Sequence, residues 1–325
     1  MTSFRTARLL PLLLLSISIP SFSVEKPNVI IFLADDLGYG DVGFHGSDIQ
    51  TPNIDRLARE GSQLEDFYSC PVCTPTRAGL MTGRYPILYG LMRAVIPPQR
   101  NYGLDTSEET MADVFAKAGY QHRGIFGKWH LGHWRKRWLP TSRGFTQFIG
   151  HHNGAIDYFT HIRNGEPDWH RDHRPFVQDG YATDLTGQEA RAFIEGIPKN
   201  EPYFLYVPFN APHSPLQAKE SDLAKYPHRE GRPRIHAAMV DSMDQAIGTI
   251  LEAAEQRGDL DDTFVLFFSD NGGVNNVASN GELKGAKASV YQGGIRVAAA
   301  AMWKNGGIVG GKRIRERMCL SHINI

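Results

Sequence analysis

Cysteine is scarce in this chain. Three in 325 residues, Cys70, Cys73 and Cys319, cannot build a disulfide framework. Surplus charge is missing too, because 35 basic residues balance 35 acidic ones. That excludes the strongly basic surface nucleic acid calls for, and any preference for an anionic ligand must come from local charges. No H-E-x-x-H occurs, so the helical zinc-hydrolase pattern is excluded. The absence of any N-x-S/T sequon favours a bacterial source over a eukaryotic exported one. Internal repeats and low-complexity linkers are absent. No apolar run reaches the roughly 20 residues of a membrane span. The longest, LLPLLLLSISI, follows Arg5 and Arg8 and precedes Ser21 and Ser23. That order describes a secretory leader over residues 1–23, with the mature protein expected to be soluble and exported, periplasmic or secreted.

What is present is an alternation of buried strands and helices. NVIIFLA, up to Ala34, is apolar throughout and rich in β-branched residues, as a strand covered on both faces of a parallel sheet should be. Further strands are expected at HRGIFG, YFLYVPF and TFVLFFS. Helices are expected from Pro52 to Gly61, near Thr183 to Ile197 and from about Arg234 to Gln256. Thr106 with Glu109 reads as a capping box for another helix ending at Gly119. Such alternation predicts an α/β architecture with a largely parallel central sheet. Residues from about Trp134 to Gly180 lack clear periodicity and read as a long irregular excursion, the kind of loop that carries selectivity. Within it His151, His152, Asp157, Tyr158 and His161 are candidate contacts for a sugar or ring.

Chemistry gathers where the strands end. Asp35 and Asp36 follow the first, Lys128 and His130 the second, His213 the third, and Asp270 and Asn271 the fourth. Open α/β sheets hold ligands at the carboxyl ends of their strands. Each cluster alone also fits a solvated turn. Together they set three carboxylates and an amide oxygen beside several cations, a donor set suited to a hard cation, calcium ahead of magnesium.

Residues 71–83, PVCTPTRAGLMTG, form the most distinctive stretch. It reads as a short helix with Thr74 as N-cap, Pro75 at the first helical position and Gly83 closing it. Cys73 then sits at a helix mouth, where free N–H groups favour negative charge. Cys70 and Cys73 also form a C-x-x-C, open to a redox or zinc reading, but no second ligand pair stands at zinc spacing.

The thirteen residues resemble the signature of the sulfatase family. DDLGYGDVGFHG, CTPTR, MTGRYP, GKWHLG, HSPLQ, DNGG and KASVYQGG extend the resemblance over roughly Pro27 to Trp303, closest to arylsulfatases of the N-acetylgalactosamine-4-sulfatase type. One departure lies in the second signature, where His122 replaces the usual serine or threonine. The resemblance implies an alkaline-phosphatase-like layered fold and hydrolysis of sulfate monoesters, of sulfated carbohydrate or aryl alcohols. It further implies that a dedicated maturation enzyme oxidises Cys73 to formylglycine, whose hydrated form is the nucleophile. One hydroxyl of that diol attacks sulfur and releases the alcohol, and the other then collapses to expel sulfate. Calcium is implied at Asp35, Asp36, Cys73, Asp270 and Asn271. Sulfate contacts are implied at Lys128, His213 and Lys287, while Arg77 and His130 hold the diol and His213 is the acid.

Two other readings stay open. One is a phosphate or phosphonate monoester hydrolase, because related folds cleave phosphoryl esters with a similar metal rim. The other is a truncated, non-catalytic binder of sulfated glycans. Family members generally continue into a smaller C-terminal subdomain, which is expected to be missing or shortened here. On this reading residues 24–310 form the catalytic domain, and 311–325, ending in RERMCLSHINI, an atypical tail.

Overall fold

The computed structural model describes residues 26–322, so the expected leader lies outside the described residues. Ten strands form one sheet, numbered here in chain order: β1 Asn28–Ala34, β2 Ser62–Leu64, β3 His122–Lys128, β4 Gln147–His151, β5 His170–Arg171, β6 Arg174–Pro175, β7 Tyr203–Pro208, β8 Thr263–Ser269, β9 Ala299–Met302 and β10 Lys312–Ile314. Their spatial order is β10-β2-β9-β8-β1-β7-β3-β4-β5-β6. The five central strands, β8-β1-β7-β3-β4, run parallel. Strands β9 and β5 flank them antiparallel.

β1 is the centre of the molecule, and all seven of its residues are buried. Because side chains alternate along a strand, Ile30, Phe32 and Ala34 enter one core and Val29, Ile31 and Leu33 the other. The first core lies beneath helices α1 (Pro52–Glu60), α4 (Ala182–Gly196) and α6 (Gly231–Arg257), with Leu223 of the short α5 (Glu220–Leu223) packed against it. The second lies beneath α2 (Cys73–Thr82) and α3 (Met111–Lys117). Fully burying each large aliphatic side chain is worth about 1.5–3 kcal/mol, so the continuous apolar run pins β1 between both layers. The result is a three-layered α/β fold. The segment read as a tail also packs against this body: β10 pairs with β2, and Leu320 lies buried against Gly79 of α2.

Three local expectations are corrected. The capping box of α3 is Thr110 with Asp113, not Thr106 with Glu109. Both pairs have the spacing, but only Thr110 directly precedes the residues that bury Ala112 and Phe115. α2 begins at Cys73 itself, behind an extended Val72, with no side-chain cap. Thr74 is instead turned inward, donating to the His130 carbonyl and accepting from Ile96 N–H. The excursion of 134–180 contains β4, a full member of the parallel sheet, and the hairpin β5-β6. Consequently His151, His152, Tyr158 and His161 are buried and do not line an open face. Asp157 is half-buried and caps its own turn through Phe159 and Thr160 N–H. Among the described residues no helix is long and apolar enough to cross a membrane.

Candidate active site

The carboxyl ends of β1, β3, β7 and β8 meet the first turn of α2. Parallel pairing does the positioning: Asp35 N–H donates to Ala211 O at 3.0 Å and Asp270 N–H to Ala34 O at 2.9 Å. These bonds carry the ladder one residue past each strand and fix both carboxylates at one level. Asp36 then turns into the left-handed region at φ 69°, which swings its carboxylate back towards Asn271. Asn271 Nδ2 donates to Asp36 Oδ1 at 2.8 Å.

Cys73 stands beneath these carboxylates, 2% exposed. Its Sγ lies 3.5 Å from Asp35 Oδ1 and 3.7 Å from Lys287 Nζ. Cys70 and Cys73 are free thiols, so the C-x-x-C is not a disulfide. One turn along α2, Arg77 is fully buried and ties three strand ends together. It donates to Lys128 O at 3.0 Å, to Asp35 Oδ2 at 3.3 Å and to Asp270 Oδ2 at 2.9 Å. The Lys128 ammonium, also fully buried, pairs with Asp35 Oδ2. Lys287 Nζ reaches Asp36 at 2.5 Å. His213 Nε2 lies 3.6 Å from Asp36 Oδ2, and its Nδ1 is fixed by Ser214 O at 2.6 Å. His130 Nε2 is held by Ile96 O at 3.1 Å, leaving its buried Nδ1 without a partner among the described residues. The structure thus brings together Asp35, Asp36, Cys73, Arg77, Lys128, His130, His213, Asp270, Asn271 and Lys287.

The electrostatics follow from crowding charges out of water. Burial alone would raise the Asp35 carboxyl, but Lys128, His213, Arg77 and Lys287 outweigh it and hold the group far below its ordinary value. Asp270 goes the other way, raised by burial and by Asp35. Burial, reinforced by Asp35, pushes the Cys73 thiol far up. As a plain cysteine this residue is a neutral thiol, whereas nucleophilic cysteines need a thiolate.

Asp35, Asp36, Cys73 and His213 each offer a ligand atom, all within 4.8 Å of one another. The two carboxylates suit a hard cation, and Asn271 supplies the observation that tests the fit. Its Oδ1 is buried with no hydrogen-bond partner among the described residues, an arrangement that costs about 1–3 kcal/mol unless something is bound there.

Two supporting residues, Asp41 and Thr76, were not singled out from sequence, and Thr74 was read only as a helix cap. Asp41 accepts from Gly38 N–H, Ser279 N–H and His236 Nε2, closing the LGYGD loop over the rim. Thr76 Oγ1 donates to Asp270 O at 2.5 Å and accepts from Cys70 N–H, and Thr74 holds the His130 backbone. The only signal for them was position, a carboxylate in a glycine loop and two hydroxyls on a helix that also bears Cys73 and Arg77. A separate cleft of about 730 Å³, lined by Arg56, Glu60, Glu255 and Asp261 among others, lies at the amino end of β8 and holds none of the constellation.

Comparison with known proteins gives this rim a lineage. The sulfatase family model matches residues 27–318. The chain belongs to the sulfatase family. Mouse arylsulfatase J is 36% identical over 298 residues, covering 88% of this chain and 50% of the relative. Human N-acetylgalactosamine-6-sulfatase is 34% identical over 305 residues, covering 86% and 57%. Among solved structures, Ps i-CgsB in complex with k-i-k-neocarrahexaose superposes with a TM-score of 0.86 at 34% identity, covering 91% of this chain and 70% of that one. This sulfatase chain therefore spans about half the length of the curated relatives it matches.

Proposed function

We propose that this chain carries the hydrolytic centre of a sulfatase that cleaves sulfate monoesters of carbohydrate. The observation that carries the reading is the convergence of ten site residues from four strand ends, α2 and the Lys287 loop on one buried rim. The carbohydrate preference is supported by the neocarrahexaose held by Ps i-CgsB and by the sugar sulfatase among the relatives.

The chain's own residues divide the work by charge and reach. A sulfate monoester brings a tetrahedral anion whose nonbridging oxygens need neutralising. Lys128 and Lys287, already within ion-pair distance of Asp35 and Asp36, supply that charge from two sides. Arg77 holds Asp35, Asp270 and the Lys128 backbone in one arrangement, so the cations do not have to reorganise. His130 Nδ1, free of partners among the described residues, orients the group at position 73. His213 Nε2 faces the rim, and because Ser214 O holds the Nδ1 proton, the ring hands a proton to the departing alcohol oxygen as the imidazolium, the form that Asp35 and Asp36 favour against burial. Asp35, Asp36, Asp270 and Asn271 would hold calcium together with residue 73, and the ion would screen negative charge on nucleophile and sulfate. Formylglycine at position 73 would supply a hydrated aldehyde as nucleophile in place of a thiol that burial keeps neutral. The reading includes a maturation enzyme that converts Cys73, and export of the chain to the periplasm or medium.

Mass analysis of the tryptic peptide from Glu60 to Arg77, taken from protein made in its native host, tests it directly. The expected peptide has sulfur replaced by oxygen and two hydrogens removed, in protein that turns over aryl sulfate in preference to aryl phosphate. An unmodified thiol without aryl sulfate turnover would overturn the reading. Preference for aryl phosphate would replace it with the phosphoryl-ester alternative.

A further inference from the structure

A second group of metal-ligating side chains stands behind the rim. His152 lies just beyond β4, Asp168 just before β5, and His170 opens β5. Each offers one ligand atom, and the three atoms lie within 4.8 Å of one another. None of them is used by the sulfate-ester chemistry.

Three observations point to an ion. His152 is 4% exposed, and its Nε2 is buried with no hydrogen-bond partner among the described residues. His170 Nδ1 is likewise buried, and Asp168 Oδ1 lies 3.5 Å from it. That separation is too long for a hydrogen bond. It matches the edge of a tetrahedron with bonds of about 2.0–2.1 Å, whose ligand atoms stand roughly 3.3–3.4 Å apart. Asp168 is 4% exposed and, among the described residues, has no lysine or arginine partner. Its oxygens are instead oriented by His152 and Asn153 N–H at 3.1 and 2.9 Å, the kind of outer support that aims a ligating carboxylate.

We propose that His152, Asp168 and His170 form a site for a divalent transition-metal ion of the zinc class, distinct from the calcium-type rim. Two imidazoles and one carboxylate suit zinc and are a poor set for calcium, which takes six to eight oxygens. The site staples the end of β4 to the β5-β6 hairpin. His152 O also accepts His130 N–H at 3.1 Å, so the staple holds the backbone on which a rim histidine hangs. The His170 side chain is 13% exposed, giving the ion a path from solvent and leaving its fourth position to water.

The test uses the full chain, stripped with chelator, restored with excess calcium and titrated with zinc and, separately, cobalt(II). One equivalent of zinc is expected to bind in the presence of calcium. Cobalt is expected to give the intense visible bands of a four-coordinate site. His170→Ala, on the strand next to the sheet edge, should weaken binding by at least about tenfold, and Asp168→Asn should do the same. Cys73→Ala, which alters the rim alone, should leave the equivalent in place. Absence of stoichiometric zinc, a six-coordinate cobalt spectrum, or unchanged affinity in both His170→Ala and Asp168→Asn would overturn the site. Because the readout is metal binding, it is independent of whether Cys73 is converted or aryl sulfate is turned over.

Discussion

At the scale of single residues, the rim is a balance between three carboxylates and three cations, and each member is replaceable to a different degree. On the proposed reading, Cys73→Ala removes the side chain that becomes the nucleophile. Aryl sulfate turnover should fall by more than about a thousandfold while the circular dichroism spectrum stays native. On the proposed reading, Lys287→Ala leaves the nucleophile but strips charge from one side of a bound sulfate. A loss of about 10²–10³-fold in kcat/KM is expected, measured by initial rates on aryl sulfate. Asp41 touches no reacting group, so Asp41→Ala should act by loosening the loop above Asp36 and lower affinity for calcium, read by titration calorimetry. Some of this was legible in sequence because the physics is local. A strand buried on both faces that ends in two adjacent aspartates announces a site, and so does a cysteine at a helix mouth. Thr74 was not legible: a threonine before proline at a helix start reads as a cap, and only the fold shows that the His130 carbonyl claims its hydroxyl.

Elements place these residues, and their ends are held by contacts from far along the chain. The free N–H groups at the start of α1 are satisfied by Asp244 of α6, which accepts from Asn53 and Ile54 N–H and from the Asn53 amide. Asp244→Ala leaves those buried donors unpaired and should cost about 2–4 kcal/mol in urea unfolding near pH 5. Burial raises the Asp244 carboxyl to about 7, so folding takes up a proton there between about pH 4 and 7. Its contribution is full below the unfolded value and declines as pH rises through 7. The penalty of Asp244→Ala should therefore shrink from pH 5 to pH 8, seen as converging urea midpoints. Strand β4 escaped sequence reading because QFIGH is short and holds a single β-branched residue. Its pairing depends instead on Gly150, at φ 152°, where a Cβ would fall 2.0 Å from the Gly127 carbonyl oxygen. A side chain there meets backbone, and Gly150→Ala should lower the melting temperature and take activity with it. His151 and His152 were misplaced as loop contacts for the same reason. The alternation of strands and helices was readable most plainly over β1, β7 and β8, where apolar runs are long.

For the molecule as a whole, a rim holding Asp35, Asp36, Asp270 and the partnerless Asn271 oxygen predicts that chelation destabilises and calcium restores. Removal with chelator should lower the melting temperature and abolish turnover, and calcium should return both more fully than magnesium, whose small octahedral shell suits this crowded set less well. The sequence separation of its parts has a further consequence, which concerns time. Cys73 is sealed once β8 and the Lys287 loop are in place, and Lys287 lies 214 residues beyond it. A ribosome adding about 5–20 residues per second needs roughly 10–40 s to cover that interval. Any second enzyme that must grip the CTPTR segment has only that interval, or whatever delay a chaperone adds, before the door closes. Host strains that translate or fold the chain faster should yield protein that is native in shape yet chemically unripe.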